Sequence, residues 1–316
     1  MRKNVRAQAA KNHHFLCLTM MFRQLAVPLL ITSLLSCGGA HEPTDSSAPG
    51  LVIGDGSASP TSSIYQMPTP NELFSLVRDM AGEGHKRLLN PTTNVDRYVS
   101  LKSRAMNFGI YSTDLVYASY FDLNVEVARY YLTTKKLAEG LGLSAAFTDA
   151  DFLRLETNLT KGNSDSLESI SSSSYMKAYE RLQSEQKGTV LTMVLAGGWV
   201  ESMHLVIRQI EAFGPSAPLM ARVAEQKVTL EHLIQMMGEE AENEELNELH
   251  TKLLAIRDIY DQLNVQRVAH QGGSTSGRMV LGDDVTMELT PEKYQELVQA
   301  VDRLREEMVR PEDANA

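Results

Sequence analysis

The stretch LNELHTKLLAIRDIYDQL, residues 246–263, gives the clearest indication of the fold. Its apolar side chains recur at intervals of three and four residues, at Leu246, Leu249, Leu253, Ile256, Tyr260 and Leu263. This spacing places them along one side of an α-helix, in a heptad seam that needs a partner helix. The C-terminal segment repeats the pattern from Tyr294 to Met308 and opens at Thr290-Pro291-Glu292, a typical helix start. Both segments therefore predict helices that pack against others.

Helical patterns also occur in residues 70–213, ahead of this seam. Glycine, proline and capping residues delimit predicted helices at about 70–82, 95–121, 123–139, 148–160, 164–186 and 189–213. Residues 272–289 are too glycine-rich for a helix, and 278–289 could form a small β-hairpin around Gly282-Asp283-Asp284. No other strand pattern is present in the sequence. The prediction is an all-α bundle of about seven or eight helices.

The most apolar run of the chain is LAVPLLITSLL, residues 25–35. It is shorter than the roughly 20 residues that a helix needs to cross a bilayer. The residues before it include five Lys or Arg and no Asp or Glu, which is typical of a secretory signal. The run ends at Leu34-Leu35-Ser36-Cys37, which resembles the lipobox of bacterial lipoproteins. We predict a signal peptide over 1–36 and lipid attachment to Cys37; a buried structural cysteine is the alternative.

The predicted organisation follows from this processing site. A signal of ordinary length would start at Met20 or Met21, and a long N-terminal region is the alternative. Two or more acyl chains on Cys37 would hold the protein at a membrane. Residues 37–69 are rich in Gly, Ser, Pro and Thr and are predicted to be a flexible tether. A single helical-bundle domain is predicted over 70–310, with a disordered tail over 311–316.

Charge and cysteine content exclude several classes of protein. Removal of residues 1–36 changes the formal charge from −10 to −15, which disfavours binding to nucleic acid. Only two cysteines occur, of which Cys17 is removed with the signal and Cys37 is acylated. The predicted mature domain therefore has neither a disulfide nor a catalytic thiolate. The sequence contains no recognisable motif for a cofactor, and none is predicted.

The segment AGGWVESMH, residues 196–204, is the first of two candidate sites. Glu201 and His204 form an E-x-x-H pair on one helical face, beside Trp199, the only tryptophan. A di-iron bundle needs two such pairs, and the sequence has no second one. A metal site at this pair is therefore disfavoured, and a hydrogen-bonded or exposed His204 at the rim of the bundle is expected. Gly197-Gly198 indicates a close helix contact or a kink.

The second candidate is the aromatic segment 108–131, which holds seven of the chain's 20 aromatic residues. Tyrosine offers an apolar ring and a polar hydroxyl, so a pocket for a hydrophobic or glycan ligand could form here. Tyr111, Asp114 and Tyr117, together with Trp199, Glu201 and His204, are the candidate ligand-binding residues. The alternative, which helical spacing favours, is that most of these rings are buried in the core of the bundle.

The segments NFGIYSTDLVYASYF and LAGGWVESMHL resemble an uncharacterised group of Bacteroidota lipoproteins. These carry a GVY-x-ADLSYA-like segment, a GGWIE-like segment and a glycine-rich turn before the last helix. Ser112 to Leu115 and Gly197 to Glu201 stand at those places, and the resemblance covers about residues 95–310. It implies an outer-membrane location and a helical fold, with no assigned activity. The sequence CGGAHEP lacks the acidic run that accompanies surface export in that group, which favours the periplasmic leaflet over the cell surface.

Three functions are compatible with the sequence. The first is a non-enzymatic, lipid-anchored bundle that binds or scaffolds an envelope protein. The second is a binder of a small hydrophobic or glycan ligand in the Tyr/Trp-lined pocket. The third, and the least favoured, is a metal-dependent enzyme that uses Glu201 and His204.

Overall fold

The computed structural model of the chain describes residues 74, 78, 84–213, 217–239, 243–269 and 283–312. They lie in one compact unit, residues 64–316. The α-helices in the described ranges are α1 (Leu101–Tyr120), α2 (Asn124–Gly140), α3 (Asp149–Lys161), α4 (Ser164–Ser184), α5 (Gly188–Phe213), α6 (Ala217–Glu239), α7 (Glu244–Tyr260) and α8 (Pro291–Met308). The predicted all-α bundle is confirmed. The predicted signal peptide, Cys37 and the tether lie outside the described residues.

Two short strands form an antiparallel pair between α7 and α8. Strand β1 (Asn264–Ala269) pairs with β2 (Asp283–Glu288), so that Asn264 lies opposite Glu288. Strand β2 lies within the hairpin predicted over 278–289, and among the described residues it pairs with the segment that directly follows α7. The first half of the predicted hairpin, residues 278–281, lies outside the described part of the chain.

The helix predicted over 95–121 begins later than expected, at Leu101. The side chain of Ser100 accepts a hydrogen bond from the Ser103 N–H, which is the usual arrangement of an N-cap. Residues Thr92–Arg97 instead form a separate 3₁₀ turn after Pro91. Apolar periodicity alone did not detect this break, because it arises from side-chain capping.

Other helix ends follow the sequence signals closely. Thr148 caps α3 through the Asp151 N–H, and Gly162 ends α3 with φ at +64°, where a residue with a side chain would be strained. Thr290 caps α8 through the Lys293 N–H, and Pro291 is its first residue. Helix α6 was not among the predicted segments.

The C-terminal residues of the described chain are fastened to the start of α1. The Glu312 carboxylate accepts hydrogen bonds from the N–H groups of Val99 and Ser100, at 2.6 and 2.9 Å, and from the Ser100 hydroxyl at 2.6 Å. Partial burial would raise the pKa of Glu312, but these hydrogen bonds outweigh it and lower the pKa. The ordered bundle therefore extends at least to Glu312, beyond the predicted boundary at 310 and into the predicted disordered tail.

The heptad seam that predicted the fold is buried as expected. All six seam residues of the 246–263 stretch are less than a tenth exposed, and Tyr294, Leu297, Val301, Leu304 and Met308 of α8 are buried too. Helix α7 packs between α6 and α8, while α5 packs against α1, α6 and α8. The centre of the bundle is thus the pair of α1 and α5.

Helix α5 is long and apolar enough to cross a membrane by composition alone. The stretch Gly188–Glu211 has a mean hydropathy of 1.6, but 94% of its most apolar window is buried inside the protein. Neighbouring helices of the bundle therefore cover the apolar surface of α5, as is usual for the core helix of a globular domain.

Candidate functional site

Glycines bring α1 and α5 into close contact at the centre of the bundle. A Cβ atom added to Gly109 would lie 2.0 Å from the carbonyl oxygen of Val194, and one added to Gly197 would lie 2.0 Å from that of Met106. Real Cβ atoms do not approach an oxygen so closely, so this crossing requires glycine on both helices. The close contact inferred from Gly197-Gly198 is confirmed, whereas its partner Gly109 was not identified from the sequence.

A largely buried ion pair lies one turn beyond this crossing. The Arg305 guanidinium on α8 donates from Nε to Glu201 Oε2 at 2.5 Å and from a terminal nitrogen to Oε1 at 2.7 Å. Glu201 on α5 is completely buried, and the Arg305 side chain is 13% exposed. A bidentate pair of this kind has strong, directional hydrogen bonds. Arg305 also donates to the carbonyl oxygen of Leu88 at 3.3 Å, which links α8 to the segment before α1.

Asp114 on α1 is a second buried carboxyl group beside this pair. It is completely buried, and its Oδ2 accepts a hydrogen bond from the Asn90 N–H at 3.1 Å. Oδ1 has no hydrogen-bond partner among the described residues. Burial and the negative charge of Glu201 raise the pKa of Asp114 well above its usual range, although the charge of Arg305 opposes this. One guanidinium therefore lies near two buried carboxyl groups, and burial beside Glu201 favours the protonated form of Asp114.

The raised pKa of Asp114 predicts that the stability of the protein depends on pH. Asp114→Asn keeps the shape of the neutral carboxylic acid but cannot ionise. The free energy of unfolding of the variant, relative to that of the wild type, should therefore increase with pH. The difference should begin near pH 3.8, where an unfolded aspartate ionises while the folded one keeps its proton. It should grow by up to about 1.4 kcal/mol per pH unit until the folded-state pKa is reached. Urea denaturation of both proteins from pH 4 to 9 measures it, and a constant difference across this range would contradict the assignment.

The tyrosines of the predicted pocket form hydrogen bonds with other groups of the protein itself. The Tyr111 hydroxyl donates to the carbonyl oxygen of Pro91, and that of Tyr130 to the carbonyl oxygen of Asn90, both at 2.7 Å. The Tyr117 hydroxyl accepts hydrogen bonds from the His85 N–H, at 3.0 Å, and from the side-chain amide of Gln209. Burial raises the pKa of all three tyrosines, so their hydroxyl groups remain protonated. They fasten the segment before α1 to the bundle.

The remaining members of the aromatic segment mostly lie in the core as well. Phe108, Phe121 and Tyr131 are less than a tenth exposed, and the ring of Phe108 packs edge-on against that of Phe147. This confirms that helical spacing buries most of these rings. Trp199 is 2% exposed, and its indole N–H has no partner among the described residues.

His204 belongs to a second charged cluster on the side of α5 that faces α8. Its Nδ1 lies 3.1 Å from Asp302 Oδ1, a distance at which an Nδ1–H donates a hydrogen bond. The Arg208 guanidinium also donates to Asp302. Burial would raise the pKa of Asp302, but these two neighbours outweigh it and lower the pKa. His204 is 8% exposed and hydrogen-bonded, as expected for a residue at the rim.

The six predicted ligand-binding residues are thus all buried, but they fall into separate hydrogen-bonded groups. Glu201 and His204 share a face of α5, yet Glu201 binds Arg305 whereas His204 binds Asp302. The structure shows no cluster of three or more His, Cys, Asp or Glu side chains able to hold a metal within the ranges it describes.

The partner that sequence reasoning missed is Arg305. It follows Val298 and Val301 at the spacing of three and four residues that marks the buried face of α8, and it precedes Met308 by three. A basic residue at a position where the pattern expects an apolar one was therefore the sequence signal for a buried charge. Asn90 had no comparable signal, because it lies in an irregular segment between two short turns.

An open cleft lies between α1, α7 and α8, and none of the six candidate ligand-binding residues lines it. Its volume is about 440 Å³. Its lining combines apolar and charged side chains, namely Lys102, Met106, Glu248, Leu249, Lys252, Leu304, Glu307, Met308 and Arg310. Volumes of about 300–1,000 Å³ are typical of small-molecule sites.

Comparison of the chain with protein-family models, with curated proteins and with solved structures finds no match.

Proposed function

We propose that this protein is a lipid-anchored, non-enzymatic helical bundle that acts as a binding module in the bacterial envelope. The anchor follows from the lipobox-like Leu34-Leu35-Ser36-Cys37 and from the apolar run before it. The tether over 37–69 would let the domain reach partners away from the anchoring leaflet. Outer-membrane attachment with the domain in the periplasm is the location that the sequence favours.

The observation that carries the binding role is the enclosure of Glu201. This residue was the strongest candidate for metal or acid–base chemistry, yet it is fully buried and both of its oxygens accept hydrogen bonds from Arg305. A general base must reach the proton that it removes, and a metal ligand needs free lone pairs. Glu201 therefore stabilises the fold, and recognition is left to the surface of the bundle.

Crosslinking in intact cells tests this function. We expect the wild-type chain to form reproducible crosslinks to the same envelope component in independent preparations. Cys37→Ser should lose them, because without acyl chains the domain is no longer held at the membrane. Because this variant changes no residue of the bundle, a loss of crosslinks would report the loss of the anchor and not a change in the folded domain. Absence of reproducible crosslinks from the wild type, or equal crosslinks from Cys37→Ser, would refute the proposal.

Binding of a small ligand is a second candidate, and the cleft between α1, α7 and α8 favours it. The Tyr/Trp-lined segment is a weaker location for such a ligand, because the hydroxyl groups of Tyr111 and Tyr130 already donate to backbone carbonyls. A ligand that replaced these bonds would have to offset their loss. The cleft can accept a ligand without breaking the network around Asp114.

A further inference from the structure

We propose that the cleft between α1, α7 and α8 binds a small amphiphilic anion, in which one oxyanion group is joined to an apolar chain. This inference rests on the proposed binding function and adds to it a site and a class of ligand. It is independent of the anchor at Cys37.

The base of the cleft is apolar and comes from all three helices. Met106 of α1, Leu249 of α7 and Leu304 and Met308 of α8 form it. Each is less than a tenth exposed, so only a small part of each apolar side chain is open to the cleft. Methionine side chains are flexible and polarizable and adapt to irregular apolar ligands. The base therefore offers contacts to the end of an aliphatic chain.

The rim of the cleft carries three basic side chains and only two acidic ones. Lys102 and Lys252 each lie 2.8 Å from the Glu248 carboxylate, and Lys252 also pairs with Glu307. The two lysines lower the pKa of Glu248 to about 2, so this carboxylate stays ionised. The two carboxylates are thus balanced by the two lysines.

Arg310 supplies the surplus positive charge. It lines the cleft, and its guanidinium has no ion-pair partner within the described part of the chain. A guanidinium binds carboxylates and phosphates through two parallel hydrogen bonds. Lys102 lies in the first turn of α1, where the helix dipole adds positive potential. A net positive rim in a chain of charge −10 selects an anion at this place.

Titration with decanoate and with decyl phosphate, each below its micelle-forming concentration, tests the proposal on the purified full-length chain. Methionine methyl groups labelled with ¹³C report the site by NMR. We expect the Met106 and Met308 signals to shift with either probe, while those of Met193 and Met203 in the core do not. Decyltrimethylammonium should produce no shift at these concentrations. The relative affinities of the two anionic probes distinguish a carboxylate from a phosphate ligand.

Two variants test the role of the rim. Arg310→Gln should weaken decanoate binding about fivefold, in the range expected for loss of one exposed charge-assisted contact. Arg303→Gln is the matched control, because Arg303 is exposed on α8, a few residues before Arg310, and does not line the cleft. Unchanged Met106 and Met308 signals, an equal response to the cationic amphiphile, or equal losses in both variants would each overturn the inference. These results would leave the crosslinking test of the proposed function unaffected.

Discussion

Arg305→Met is expected to lower the free energy of unfolding by about 3–5 kcal/mol, because it leaves the Glu201 carboxylate buried without a counter-charge. The methionine replaces most of the apolar stem of arginine, so the loss reports the charge and its hydrogen bonds rather than a cavity. The neighbouring Asp114 adds to the cost, since a second acidic group lies beside the uncompensated one. Urea denaturation followed by circular dichroism measures the change.

The double variant Glu201→Leu with Arg305→Met separates pairing from packing. Removal of both charges should recover most of the lost stability, because apolar residues of similar volume often replace a buried ion pair at little cost. Arg222→Met is the control, since Arg222 pairs with Glu225 at the surface, where both side chains are 54% exposed. It should change stability by less than about 1 kcal/mol. Equal effects of Arg305→Met and Arg222→Met would show that the buried pair has no special role.

Gly197→Ala is expected to destabilise the protein by about 3 kcal/mol or more, because the new methyl group would overlap the Met106 carbonyl oxygen. That oxygen belongs to the backbone of α1, so a side-chain rotation cannot relieve the contact and the two helices must separate. Gly109→Ala should behave alike through the Val194 carbonyl oxygen. The fluorescence of Trp199, the only tryptophan and 2% exposed, reports the separation as a shift to longer wavelength.

Gly238→Ala is the matched control for the helix crossing. Gly238 lies near the end of α6, and a Cβ atom added there meets nothing within 4 Å. Alanine should therefore stabilise this helix by up to about 1 kcal/mol, as expected from helix propensity alone. If Gly197→Ala were as well tolerated as Gly238→Ala, the close approach of α1 and α5 would be wrong.

Except for α6, the helices were predictable because their apolar residues recur at the helical period. The seam from Leu246 to Leu263 and the start of α8 at Thr290-Pro291 were located correctly. The start of α1 was not, because the break is made by the Ser100 cap and by Pro91, whose effects are local. The partner of β2 was also missed, since pairing between distant segments leaves no periodic trace in either one.

The candidate site was predictable in part. Asp114 was singled out for its place in the aromatic segment and Glu201 for its E-x-x-H pair with His204, and the structure places the two carboxyl groups near each other. The guanidinium that binds Glu201 comes from Arg305, about a hundred residues away in the chain, so the sequence could mark Arg305 as unusual but not identify its partner. A sequence does not show whether a tyrosine hydroxyl group contacts a ligand or the protein's own backbone. The structure shows that those of Tyr111 and Tyr130 contact backbone.

We propose that this bundle is held at a membrane by a lipid on Cys37 and acts there as a binding module. Mass spectrometry of the N-terminal peptide, from protein purified out of the membrane fraction, tests it most directly. We predict a mature chain that begins at Cys37 and carries acyl chains on that residue, together with loss of membrane association in Cys37→Ser. A mature protein that begins elsewhere, or that retains an unmodified Cys37 thiol, would contradict the account.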